Sequence, residues 1–201
     1  MSLQLEFEQS QLIQATGSKH PEGVCLGLVV QWLSSISENK EKTFWEDLNG
    51  SLAKTPDVPL LGRGYARKAI EFQGAYIKDL PPNASTGDFA KGELLKADLR
   101  FDNAISGGNA FSDDELNRIA ARVLTNDCRY FVFGIRGNGG HAIGIYRTYS
   151  LVGKSTKVQI FDPNIGKYAC DGSDEIKTDL VHIGKQYNGG LHQTFILEGY
   201  C

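Results

Sequence analysis

Residues 3–7 (LQLEF) alternate apolar and polar side chains, the period of a short strand with one buried face. Gly17, Ser18, Pro21 and Gly23 follow as a turn cluster. From Val24 the period lengthens. Cys25, Leu28, Val29, Trp32, Leu33 and Ile36 recur three and four residues apart, which predicts a helix of about three turns with one apolar stripe. Further helices are predicted over residues 42–52 and within 60–80, the latter with Tyr65, Ala69, Phe72 and Tyr76 on one side. Pro81-Pro82 ends that segment, because proline lacks the N–H a helix needs and restricts the residue before it. Residues 81–111 are rich in Gly, Asn, Asp and Ser and are predicted to be irregular, with one short strand near 95–101. Ser112 and Glu115 form an S-x-x-E capping box ahead of Leu116, Ile119 and Val123, a helix start.

The last third changes character. Residues 128–136, 141–149, 157–162 and 191–200 are rich in β-branched and aromatic side chains and read as strands. Gly137-Asn138-Gly139-Gly140 between the first two is a hairpin signal. One more helix is predicted over 174–187. Helices early and an antiparallel meander late define an α+β fold rather than alternating α/β.

Composition narrows the function classes. The 201 residues are 41% hydrophobic and 22% charged, globular values that suit a single domain over 1–201. With 21 basic and 24 acidic residues the net charge is -3, so no basic field exists to bind nucleic acid. No apolar run reaches membrane-spanning length. The start, MSLQLEFEQSQ, has no basic region followed by an apolar stretch, so no Sec signal peptide is expected. Cys25, Cys128, Cys170 and Cys201 are far apart and form no C-x-x-C pair, which argues against a zinc ribbon. They read as free thiols of a protein that folds in a reducing compartment.

Three features carry chemistry. Cys25 opens an apolar helix after Gly23-Val24, where exposed backbone N–H groups and the positive end of the helix dipole favour a thiolate. His141 begins a strand directly after a glycine turn. Asp162 ends the next strand, fixed by Pro163. A cysteine nucleophile needs a base, and the base needs an acceptor that holds its tautomer. Each residue also has an ordinary role open to it: a small core thiol, a polar strand end, a loop carboxylate. Their order and context single them out.

The segments GVCLGLVVQWL, GHAIGIY and FDPNIG resemble the three motif blocks of the YopT-type cysteine proteases, a family of the papain-like clan. The likeness includes the small residue before Cys25, Trp32 seven residues after it, the aliphatic strand after His141 and the D-P-N-x-G ending. It implies a papain-like fold in which Cys25 is the nucleophile, His141 the general base and later acid, and Asp162 the orienter of the imidazole. It implies no cofactor and no metal. It also implies a bacterial effector or toxin that leaves its cell through a specialised secretion system and cuts a protein in the target-cell cytoplasm. A cognate chaperone or immunity protein would be a further partner. Papain-like enzymes carry an amide five or six residues before the nucleophile to help hold the oxyanion. Here those positions are Lys19 and His20; neither is an amide, both can donate a hydrogen bond, and His20 is the candidate donor.

Two other readings keep the same residues. The same acyl chemistry on a glutamine side chain gives a deamidase or transglutaminase, and a buried, inert Cys25 gives a binding module on this scaffold. Other candidates are weaker. Gly153-Lys154-Ser155 lacks the upstream glycine of a P-loop. Cys170, His182 and His192 match no tight zinc spacing. Asp171 to Glu175 reads as a solvated turn or helix start, and Arg129, Arg136 and Arg147 as surface arginines.

Overall fold

The strand-rich segments pair into one antiparallel sheet. The computed structural model describes residues 2–17, 23–52, 64–79, 86–148, 157–187 and 194–201. Among these, β1 (Ser2–Glu6), β2 (Phe101–Gly108), β3 (Tyr130–Arg136), β4 (Gly140–Arg147), β5 (Lys157–Asp162), β6 (Gly166–Asp171) and β7 (Thr194–Tyr200) lie in the order β1-β6-β5-β4-β3-β7-β2. The meander β3-β4-β5-β6 forms its centre, and β7 returns to pair with β3. Two compact units result: residues 1–7 with 100–201, and residues 8–99.

In the sheet unit, α6 (Asp113–Thr125) and α7 (Ser173–Gln186) cover the sheet. Leu116, Ile119, Ala120 and Val123 of α6 join Ile176, Leu180 and Ile183 of α7 in one core with Phe131, Phe133, Ile135, Ile143, Ile145, Val158 and Ile160. Three- and four-residue spacing on the helices meets two-residue spacing on the strands, so each element turns one apolar side to the other. Ser112 caps α6 by accepting the Glu115 N–H at 3.4 Å. The Glu115 carboxylate pairs with Arg118 at 3.1 Å.

The helical unit holds α1 (Gln9–Thr16), α2 (Cys25–Ser37), α3 (Glu41–Leu52), α4 (Tyr65–Asp79) and α5 (Thr86–Leu95). α2 is buried from Cys25 to Ile36, not along one stripe alone, because α3, α4 and α5 all pack on it. Only a helix apolar almost all round can occupy such a place. No described helix is long and apolar enough to cross a membrane.

Several expectations change. α1 and β6 were not expected, and the described part of 81–111, from residue 86 on, is not irregular: it supplies α5 and the eight residues of β2, which run on from 101 rather than over 95–101. α5 carries two glycines and little amphipathicity, so its pattern is weak. The expectation of four free thiols is corrected: Cys128 and Cys201 form a disulfide, and Cys25 and Cys170 stand outside it. The register that sets Tyr130 opposite Tyr200 brings the chain at 128 and 201 to a Cα separation of 4.5 Å across a sequence gap of 73 residues. That bond forms in an oxidising environment, so the inference of folding under reducing conditions loses its basis. Arg147 is also corrected: it is buried, and its guanidinium donates to the carbonyls of Val123, Leu124, Asn126 and Cys128. It therefore closes the open end of α6, which leaves unpaired carbonyls in any helix.

Candidate active site

In the sheet unit, Gly144 pairs with Phe161 and Ile145 with Ile160. One step further along this register sets Asp162 beside Ile143, on the face that His141 shares by the two-residue period. The structure brings the two side chains together: His141 Nε2 lies 3.0 Å from Asp162 Oδ1, and both residues are buried. The D-P-N-I-G turn between β5 and β6 builds the acceptor. The Asn164 N–H donates to Asp162 Oδ1 at 2.8 Å, and the Ile165 N–H donates to the Asp162 carbonyl at 3.1 Å. Gly166 closes this turn with a φ of 133°, a left-handed backbone that favours glycine. A Cβ there would lie 2.0 Å from the Leu5 carbonyl, so β1 approaches only because the side chain is missing.

Tyr187, which caps the C-terminus of α7, was not foreseen. Its hydroxyl lies 2.9 Å from each carboxylate oxygen of Asp162 and 2.8 Å from His141 Nε2. Asn164 Nδ2 donates to that hydroxyl at 3.0 Å, and the phenol ring leans against the imidazole with centroids 4.7 Å apart. Nothing in the spacing announces this contact, since 46 residues separate Tyr187 from His141.

In the helical unit, Cys25 is the first residue of α2 and is buried. Gly23 precedes it with a φ of 101°, and a Cβ there would meet Gln9 Oε1 at 3.0 Å. Gln9 Oε1 accepts the Val24 N–H at 2.7 Å, and Gln73 Oε1 of α4 accepts the Gly27 N–H at 3.2 Å. Two buried glutamines, neither singled out by the sequence, thus fix the turn that presents Cys25. His20 and Lys19 lie outside the described residues, as do Gly153-Lys154-Ser155 and His192.

The remaining cysteine chemistry is quiet. The Cys170 thiol donates to Asp179 Oδ2 at 3.1 Å, and burial first, then Asp179, pushes it well above the ordinary thiol range. Among the described residues, the one group of three metal-type side chains is Asp102 with Cys128 and Cys201, whose sulfurs are joined to each other.

A helical unit with a cysteine at a helix start, and an antiparallel sheet with a buried His–Asp pair, make an α+β fold of the papain-like type. The chain is similar to the crystal structure of the Pseudomonas avirulence protein AvrPphB, with a TM-score of 0.56 and 16% identity over 91% of this chain and 93% of that one. It is also similar to PatoxP, a cysteine protease-like domain of the Photorhabdus asymbiotica toxin PaTox, with a TM-score of 0.57 and 13% identity. That match covers 97% of this chain and 53% of the other. No family model matches the sequence, and no curated protein matches it. At these identities the likeness concerns the fold, and it runs over nearly the whole chain.

Proposed function

We propose that this chain is a papain-like thiol protease in which residues 1–201 act as one catalytic domain, with Cys25 as nucleophile, His141 as base and acid, and Asp162 as orienter. The observation that carries the reading is the buried His141–Asp162 pair at 3.0 Å, held by a turn built around the carboxylate. Asp162 occupies Nε2, so Nδ1 is the nitrogen assigned to proton exchange. In the first half-reaction the Cys25 proton passes to Nδ1, and the sulfur bonds to a peptide carbonyl carbon. The resulting oxyanion is assigned to the Cys25 N–H with His20. The C–N bond then breaks, and the amine leaves with the proton from His141. In the second, water gives a proton to Nδ1, attacks the thioester and releases the acid, and Cys25 regains its proton.

The fold neighbours, an avirulence protein and a toxin domain, support a protein target in another cell. We assign delivery to a specialised secretion route, with a cognate chaperone or immunity protein as the partner before release. The test is co-expression of wild type and Cys25→Ala with a target proteome, read by intact mass. Wild type alone should split its target into two fragments. Equal processing by both forms would end the protease reading. An unfragmented target heavier by about one dalton would replace it with deamidation, since both reactions share the acyl-enzyme.

A further inference from the structure

The assignment of His141 and Asp162 leaves Tyr187 without a role, yet its hydroxyl meets the carboxylate, the imidazole and the Asn164 amide of the cluster. A phenol oxygen has one hydrogen to give and two lone pairs to offer. Four polar atoms of the described residues lie against the Tyr187 oxygen: Asp162 Oδ1 and Oδ2 at 2.9 Å each, Asn164 Nδ2 at 3.0 Å and His141 Nε2 at 2.8 Å. An ionised carboxylate only accepts, so the phenol hydrogen goes to Asp162. The Asn164 amide nitrogen only donates, and fills one lone pair. The second lone pair is left for Nε2, which must then carry a hydrogen. Asp162 Oδ1, 3.0 Å from the same nitrogen, makes the same demand. The opposite tautomer would aim an imidazole lone pair at a carboxylate oxygen and draw the phenol hydrogen away from it.

The position of Tyr187 is itself fixed. Its N–H donates to the Gly184 carbonyl at 3.1 Å in the last turn of α7. A Cβ on Gly184 would meet the Phe111 ring at 2.7 Å, so that turn sits tightly against the residues leading into α6. The phenol ring lies over the imidazole at 4.7 Å and shares the cover of the His141–Asp162 bond.

We propose that Tyr187 is a positioning residue: it locks neutral His141 in the Nε2–H tautomer and shields its bond to Asp162, leaving Nδ1 as the nitrogen that exchanges protons. Its effect on turnover rests on the thiol chemistry proposed above, whereas the tautomer does not. The test is nitrogen NMR of 15N-histidine protein, with the His141 signals assigned by their loss in His141→Gln. At a pH where His141 is neutral, wild type should show the proton on Nε2. Tyr187→Phe should move the two ring-nitrogen shifts toward their average. It should also lower kcat about tenfold, with KM unchanged within about twofold, the loss of one charge-assisted hydrogen bond. A wild-type proton on Nδ1 would overturn the proposal, and so would a Tyr187→Phe protein that keeps the pure Nε2–H tautomer. The wild-type spectrum can overturn the proposal even if the variant fails to fold. A locked tautomer in a protein whose Cys25→Ala form processes targets equally would uphold the role of Tyr187 while ending the protease reading.

Discussion

A carboxylate sunk in a protein interior is stable only when its lone pairs are answered. At Asp162 a backbone N–H, an imidazole and a phenol do so, and the cluster is rigid as a consequence. The same neighbourhood acts on β6. Burial first, then the charges of Asp162 and Asp179, push the Tyr168 phenol up from 10.0 to about 12. Its folded-state pKa is raised, so the protonated form is the one the fold keeps. The unfolded chain loses that proton first, and stability present below pH 10 should fall as pH rises toward 12. Urea midpoints across this range should fall less steeply for Tyr168→Phe than for wild type. Parallel curves would contradict the account. At this scale the sequence exposed His141 and Asp162 because a glycine turn and a proline mark their strand ends. It hid Tyr187, Gln9 and Gln73, whose partners lie 46, 15 and 46 residues away and are chosen by packing. Arg147 was misread for the same reason: its carbonyl partners come from the end of a helix, not from its own strand.

Elements were legible where one period ran unbroken. α6 and α7 show helical spacing and β3, β4 and β5 are dense in β-branched and aromatic residues, and the structure places all five within a few residues of expectation. β6 alternates buried and half-buried positions but is short and opens on Gly166 after a turn, so its pattern does not stand out in the sequence. α2 shows how an element serves a site. Its neighbour α4 comes so close that a Cβ on Gly27 would lie 2.1 Å from the Ala69 carbonyl oxygen. The obstructing atom is backbone, so one of the two helices would have to move. Gly27→Ala should therefore destabilise the protein by about 1–3 kcal/mol in urea titration, although alanine is the better helix former. An unchanged or raised midpoint would show that the two helices yield more easily than this close packing allows.

On the scale of the whole chain, the two units divide the chemistry: the cysteine belongs to the helical one and the His–Asp pair to the sheet. The fold class was readable from the order of helical and strand patterns, and the likeness to AvrPphB and PatoxP agrees with it. The disulfide was not readable, because only the return of β7 beside β3 makes Cys128 and Cys201 neighbours. That bond also simplifies the experiment that matters most, since Cys25 and Cys170 are the two cysteines outside it. Cys170 is buried and held protonated beside Asp179, which makes it an internal reference for an inert cysteine. The central claim is that Cys25 is a nucleophile activated by His141. Native protein treated with iodoacetamide near neutral pH and mapped by peptide mass should carry the label on Cys25 well before Cys170, and His141→Ala should slow labelling at Cys25 alone. Labelling of Cys25 no faster than Cys170, or at a rate indifferent to His141, would contradict it.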